Sequence, residues 1–430
     1  MTGVAAVATG SQREHYEALL GALDPDRMQP LLAAEFGDVA DQPCVVLDAK
    51  YEPGRPATVL YGLGPRLVHA TVPPPGWDAD GAHLPNGVTV NAYPADPGLP
   101  SLPSVLDPRV FGPALASALG TTDPGSDAGA ADVDLQLLRY RPGRRATFLV
   151  TVSGARSPST YVAKVYHDGA KAAAVAAEGR ALAAGPSQAP LVLAPVVAHL
   201  PDLAVVVQGF LDGHVLEVRL ADDGPTGRDE TGLVRAAEAL AVLHGRSVPD
   251  GRPRPVDREL HRFVGRASAI RSVDLHTGQV LLEAANRLLG LHTDPGPLSL
   301  VHGDCKPSQF LVTADGVGIL DLDHCGIADP AYDVGNFVAS LRQHGIRTSP
   351  AGALAAEAPA STFVSAYTDR ARPAAREAFL ARVDFYVGVA LVRKALRAFA
   401  RHPLSEEPLR YVEEAHRGLD SRWGSDHANG

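Results

Sequence analysis

The sequence predicts an α+β chain, β-rich over 131–212 and mainly helical toward its end, with a further domain in front. Three observations lead there. Residues 131–212 hold apolar, β-branched runs joined by Pro/Gly turns, the pattern of antiparallel strands. Beyond residue 340 the apolar residues recur at spacings of three and four, the pattern of amphipathic helices. Between the two lies a short hairpin flanked by a dense set of charged residues, VHGDCKPSQFLVTADGVGILDLD over 301–323. The expected boundaries are 1–130 for the leading domain, 131–212 for the β-rich lobe and 213–430 for the helical lobe.

The leading domain contains half of an internal repeat. Residues 51–58 read YEPGRPAT and residues 140–147 read YRPGRRAT, each followed by two strand-like runs. Aligning the second runs after a short deletion sets LVHATV (67–72) on YVAKVY (161–166), so Ala70 falls at the position of Lys164. A duplicated β-rich unit that lost its lysine is expected to serve as a cap or interaction domain. The Pro/Gly-rich stretches 94–103 and 121–130 read as linkers around a short helix at 108–119.

In the β-rich lobe, LQLLRYRPGRRATFLVTV and TYVAKVYHDG read as two strands around the turn 153–159. Lys164 is flanked there by apolar residues. A lysine buried in a strand is costly without an acidic partner. The next segment, 170–183, is Ala-rich and helical in propensity, with Glu178 its one acid. An apolar strand then ends at Gln208 and Gly209, before Phe210. The helix over 231–245 carries Leu233, Ala236, Leu240 and Leu243 on one face and ends at His244, a residue read as structural.

The segment after residue 301 carries the chemistry. His302, Gly303, Asp304, Lys306, Pro307 and Gln309 precede one apolar strand, a turn precedes the next, and that strand delivers Asp321. An attacking hydroxyl must give up a proton while cations shield a transferring phosphoryl group, so a base, a fixed cation and hard metal ligands have to converge. Asp304 is the expected base. Lys306 is placed to offset charge on the phosphoryl group. Gln309 and Asp321 are the expected Mg²⁺ ligands, one amide and one carboxylate oxygen being enough for an ion that keeps several waters. If the chain stays extended, Asp323 points to the same side as Asp321 and binds a second metal or the acceptor. The competing reading is a metallohydrolase using His302, Asp304, Asp321, Asp323 and His324, which leaves Lys306 and Pro307 without a role.

These residues resemble the catalytic and metal loops of the aminoglycoside phosphotransferase and choline kinase-like superfamily, whose pattern is H-G-D-x-x-x-x-N, an apolar hairpin and I-D-x. The continuation 328–334, ADPAYDV, is similar to that family's G-D-P-x-x-D-L. The resemblance spans about residues 133–400 and implies a bilobal protein kinase-like fold. It implies ATP and Mg²⁺ as cofactors bound between the lobes, with Asp304 as base and Gln309 and Asp321 as metal ligands. It further implies that Lys164 and Glu178 hold the α- and β-phosphates and that backbone near Gln208 to Phe210 meets adenine. Gln309 stands where the family has Asn. Asp329 and Asp333 are read as structural residues that fix the loop. No G-x-G-x-x-G occurs, and the turn at Pro142 and Gly143 with Arg144 and Arg145 takes its place.

The expected activity is transfer of a phosphoryl group from ATP to a hydroxyl of a small molecule, a sugar, an aminoglycoside or a related natural product. The extra leading domain is reminiscent of the maltokinase-like branch, and both metabolism and antibiotic self-resistance fit. A pseudokinase scaffold is the alternative, favoured by Gln309 and opposed by intact Asp304, Lys306 and Asp321.

Composition bounds the rest. The chain has 430 residues, 45% hydrophobic and 20% charged, enough for two or three domains with sizeable cores. A formal net charge of −10 argues against a general nucleic-acid binder. Three cysteines, Cys44, Cys305 and Cys325, fit neither a disulfide framework nor a zinc site, and the two flanking the site read by default as small buried thiols, with oxidant sensitivity the alternative. There is neither a signal-peptide pattern nor a long apolar stretch, so a cytoplasmic protein without a membrane partner is expected. Helices are expected over 351–370, 373–401 and 406–419, with Asp384, Glu413 and Glu414 on solvated faces.

Overall fold

A computed structural model describes residues 2–37, 41–120, 132–153, 158–185, 188–218, 227–246, 252–291, 295–349 and 351–423. The expected linker 121–130, most of the turn 153–159 and the residues after Trp423 lie outside them. The chain divides into two compact units, one of Met1–Ala184 with Ala194–Phe210, the other of Gly185–Leu193 with Leu211–Gly430.

The first unit opens with the helices Thr2–Ala22 and Pro25–Glu35, separated where Asp24 caps the second by accepting from the Asp26 and Arg27 backbone N–H groups. Two five-stranded sheets follow. One has the spatial order Cys44–Lys50, Ala57–Leu63, Arg66–Val72, Thr89–Ala92, Ala82–His83; the other runs Asp132–Arg141, Arg145–Ser153, Ser159–Tyr166, Val205–Gly209, Val196–Leu200. Both sheets have the same antiparallel order, and a YxPGRxAT segment leads into the second strand of each. Pairing corrects the alignment by one residue, however. Thr147 lies opposite Lys164, and Thr58, at the same place in its motif, lies opposite Thr71. Thr71, not Ala70, occupies the lysine's position.

Alternate residues of Arg145–Ser153 are buried, Ala146, Phe148 and Val150 on one face. That face joins Leu60, Leu99, Leu102, Val105, Phe111 and Leu115 in a single core. The stretch 94–103 is accordingly no linker. Leu99 and Leu102 are fully buried, and Asp96 accepts hydrogen bonds from the Tyr140 hydroxyl (2.8 Å) and the Gly143 N–H (2.7 Å), pinning the Pro142–Gly143 turn. Composition misled here because Pro and Gly set the path of a packed segment as readily as that of a loose one.

The second unit holds a four-stranded sheet, in the order His214–Val215, Phe310–Val312, Val317–Ile319, Leu191–Val192, and the pair Ser299–Val301 with Gly326–Ala328. The rest is helical. Arg376–Arg401 is the central helix, packed by Val256–Arg271, Leu275–Leu291, Ala331–Thr348 and Glu407–Trp423. Gly335 allows one close crossing: a Cβ there would lie 2.6 Å from the Tyr386 Cβ. Among the described residues no helix is long and apolar enough to cross a membrane.

Candidate active site

The loop 302–309 hangs between the strands Ser299–Val301 and Phe310–Val312, and one buried carboxylate shapes it. Asp333, at the start of the helix Ala331–Thr348, accepts from the His302 N–H (2.5 Å), the Gly303 N–H (2.9 Å) and His244 Nε2 (3.0 Å). His244 is itself held by the Tyr367 hydroxyl at 2.7 Å. Burial pushes the Asp333 carboxyl up, but the hydrogen bond and nearness of His244, His302 and the Gly303 N–H hold it below the ordinary range. Gly303 turns the chain with φ 81°, a left-handed conformation.

His302 links this loop to the next. Its Nδ1 accepts from the Asp304 N–H (3.2 Å), which leaves Nε2–H to donate to the Leu320 carbonyl (2.8 Å). The Leu320 N–H donates to the Gln309 carbonyl at 2.8 Å, so Gln309 stands in register with Leu320, one residue before Asp321. The hairpin thus brings Gln309 and Asp321 to the same end.

Asp321 adopts φ 58°, ψ 51°, and Leu322–His324 is a 3₁₀ turn. The extended geometry expected at Asp323 is therefore absent, and Asp321 and Asp323 do not alternate as on a strand. His324 sits in the combined field of Asp321, Asp304 and Asp323. Its pKa is nonetheless lowered, because burial outweighs the three carboxylates. Among the described residues no three His, Cys, Asp or Glu side chains are grouped to hold a metal by themselves.

Asp304 is paired on both oxygens. Lys306 Nζ lies 2.7 Å from Oδ2, and Arg397 Nη1 lies 3.9 Å from Oδ1. Burial raises the carboxyl pKa, yet Lys306, Arg397 and His302 together keep it below the usual value, so Asp304 is ionised at neutral pH. Cys305 is the reverse case: it is buried next to Asp333 and Asp304 and its pKa is well raised, in keeping with the default reading of a small buried thiol.

Arg254 ties the two loops from behind. Its guanidinium donates to the His324 and Gly303 carbonyls and lies over the Tyr332 ring. Arg393 covers the same ring and forks onto Glu259 at 2.6 and 3.1 Å. Asp329 accepts from the Ala331 and Gly296 N–H groups and from Arg382 Nε, a structural role like that of Asp333. Of the expected solvated acids, Glu413 is exposed, but Glu414 is buried against Arg342 and Arg417.

In the first unit Lys164 is 7% exposed, opposite Thr147 and Val206 on its two neighbours. Glu178 is half-buried on the helix Gly169–Ala183, which packs on the strands Ser159–Tyr166, Val196–Leu200 and Val205–Gly209. Gln208 pairs with Val162 and Val196, and Phe210 is 46% exposed just beyond the strand end.

A profile of the APH phosphotransferase enzyme family matches residues 137–378, more than half of the chain. The chain belongs to that family. It is a phosphotransferase acting on a hydroxyl of a small molecule. Solved structures similar to it include the choline kinase of Cryptosporidium parvum Iowa II, at 11% identity and TM-score 0.52, covering 73% of this chain and 96% of that one. A putative fructosamine-3-kinase of Thermobifida fusca YX-ER1 has 17% identity and TM-score 0.47, covering 72% and 99%. A macrolide 2'-phosphotransferase of Brachybacterium faecium has 16% identity and TM-score 0.45, covering 71% and 95%. The first likeness shows the protein kinase-like α+β fold. Among curated protein sequences none matches this phosphotransferase.

Sequence reasoning missed Arg254, Arg393, Lys394 and Arg397 as neighbours of this phosphotransferase's loop. The last three recur at helical spacing in VRKALRAF, but nothing in that pattern says which partner the helix face meets.

Proposed function

We propose that this phosphotransferase moves the γ-phosphoryl group of ATP to the hydroxyl of a small acceptor, with Asp304 as the base. The carrying observation is an ionised carboxylate, flanked by Lys306 and Arg397, on a loop that Asp333 fixes through two backbone N–H bonds. Asp304 accepts a hydrogen bond from the acceptor hydroxyl and takes its proton. The acceptor oxygen forms a bond to phosphorus, the bond from phosphorus to the bridging oxygen breaks, and ADP leaves with that electron pair. A low-pKa carboxylate suits this step, because the loose transition state makes orientation matter more than basicity. Lys306, released from Asp304 Oδ2 as the hydroxyl arrives, offsets charge on the equatorial oxygens.

The donor set fits Mg²⁺. Gln309 and Asp321 supply hard oxygens from adjacent register positions, and too few carboxylates are grouped for a self-sufficient protein cage, which suits an ion completed by phosphate and water oxygens. Bound there it would neutralise charge on the phosphates. Asp321, next to the residue bonded to Gln309, is assigned this role ahead of Asp323. Lys164 with Glu178 is assigned to the α- and β-phosphates, and the backbone at Gln208 to Phe210 to adenine.

A screen of hydroxylated acceptors for ADP release, alongside ATP-induced thermal stabilisation with and without Mg²⁺, tests the reading. Asp304→Ala should abolish ADP release and keep stabilisation by ATP. Unchanged turnover in that variant would remove Asp304 as the base. Gln309 in place of Asn keeps a scaffold reading in view, and Mg²⁺-independent ATP binding with no ADP released over any acceptor would favour it.

A further inference from the structure

The proposed base faces a row of positive charge, with Asp321 and Asp323 beyond it around His324. On one face of the helix Arg376–Arg401, Arg393, Lys394 and Arg397 follow at helical spacing, and Lys306 and Arg254 approach from the loop side. Arg393 is spoken for: buried, it is satisfied by Glu259 and by Asn336 Oδ1 at 2.7 Å. Lys394 is held only by neutral oxygens, Ser340 Oγ at 3.0 Å and Gln343 Oε1 at 2.8 Å. Among the described residues no carboxylate lies within 4 Å of its ammonium. Among the described residues Arg397 has one carboxylate within 4 Å, that of Asp304 at 3.9 Å, longer than a hydrogen bond, and its side chain is 56% exposed.

Burial, then Arg397, Arg393 and Lys306, bring the Lys394 pKa down to about 7, the expected strain when cations are crowded without counter-ions. The cavity beside Arg254 has the same sign. It measures 780 Å³ and is lined by Arg254, Arg258 and Arg262 with His261, against Asp257 and Glu259, and Glu259 is already engaged by Arg393.

A protein leaves cations crowded and underpaired at a site when a ligand brings the missing negative charge. We infer that the acceptor carries an anionic group, a carboxylate or a phosphate, seated on Arg397 and Lys394 while its hydroxyl meets Asp304. The inference rests on the kinase reading of the same site and names its substrate class. Geometry limits the acceptor further. With Arg397 3.9 Å from Asp304 and hydrogen bonds of about 2.7 to 2.9 Å at either end, the anionic and reacting oxygens lie at most about 10 Å apart. The acceptor is a small hydroxy acid or phosphorylated polyol, or a larger molecule whose anion sits near its hydroxyl. A polycationic aminoglycoside meets like charge at this wall. The transfer itself is unchanged: the hydroxyl proton goes to Asp304, and the anionic group stays intact throughout.

The test pairs acceptors that differ in charge: glycerol with D-glycerate and with glycerol 3-phosphate, and glucose with gluconate and with glucose 6-phosphate. ADP release is measured at saturating ATP, and KM is measured for each substrate. The expected result is preference for an anionic member, carboxylate and phosphate being told apart by which one is used, with Arg397→Gln and Lys394→Gln raising KM for that acceptor about tenfold or more and leaving KM for ATP within about twofold. Preference for a neutral or cationic acceptor would overturn the inference and leave the kinase reading standing. So would variants that raise KM for ATP and not for the acceptor, since the cations would then serve the nucleotide. If none of these acceptors releases ADP, thermal stabilisation of the full chain by the same anions, with and without ATP, decides. Stabilisation by gluconate, glycerate or either phosphate that disappears in Arg397→Gln upholds the anion site, and no difference from the neutral partners overturns it. Failure of ATP itself to stabilise the chain is a separate outcome that speaks against the kinase reading.

Discussion

Replacing Asp333 by Asn tests how the loop is held, because the change is isosteric and opens no cavity. Asp333 Oδ1 accepts from Gly303, and Oδ2 accepts from both His302 and His244. An amide oxygen at the first position keeps the Gly303 bond. The NH₂ at the second faces the His302 N–H, donor against donor, and keeps His244 only if that ring changes tautomer and disturbs its bond to Tyr367. A hydrogen bond to a buried charged group contributes about 1.5–3 kcal/mol. Losing one or two of them predicts destabilisation of about 3 kcal/mol, or roughly 6–12 °C at about 2–4 °C per kcal/mol for a domain of this size. Urea unfolding followed by circular dichroism measures it. The sign with pH is fixed as well. A carboxyl depressed in the fold stabilises above its unfolded value of 3.8 and loses that contribution as pH falls through its folded value, so the gap between wild type and variant should narrow below about pH 4. A loss under about 1 kcal/mol at pH 7, or a gap that widens in acid, would refute the argument that this carboxylate anchors the loop.

Deleting residues 1–106 should leave an insoluble or molten remainder, since Leu60, Leu99, Leu102 and Val105 complete the core around Phe148, Ala163 and Val205; a cooperative thermal transition in the truncated chain would contradict this. Lys394, facing Arg393, Arg397, Lys306 and Asp304 with Ser340 and Gln343, releases its proton near pH 7 in the fold and near 10.5 when unfolded. The unfolded state thus binds more protons between those values, stability should rise with pH across that window, and Lys394→Met should flatten the rise. Native Cys305 should resist iodoacetamide while Cys325, half-buried, labels first; equal labelling of both by mass spectrometry would show that the loop opens.

The linear motif carried the family and the fold class because its chemistry is local. Asp304, Lys306, Gln309 and Asp321 flank one short hairpin, and a hairpin's register is fixed by the residues it contains. The repeated YxPGRxAT segments each lead into the second strand of a sheet, though only the strand pairing, a long-range property, placed Thr71 rather than Ala70 opposite Thr58. Asp323 was misplaced because an extended chain was assumed where Asp321 turns left-handed. The stretch 94–103 was misread because composition does not record burial.

The sequence by itself determined the fold class and the phosphotransferase family, and it named Asp304, Lys306, Gln309 and Asp321 as candidates, since these depend on neighbours a few positions apart. Tertiary structure alone decided what surrounds them. Arg393, Lys394 and Arg397 sit some ninety residues beyond Asp304 on a helix whose periodicity marks a buried face without naming its partner. Asp333, His244 and Tyr367 become one hydrogen-bonded chain only when three helices meet. Charge at a site is a sum over space, and spacing along the chain carries little of it.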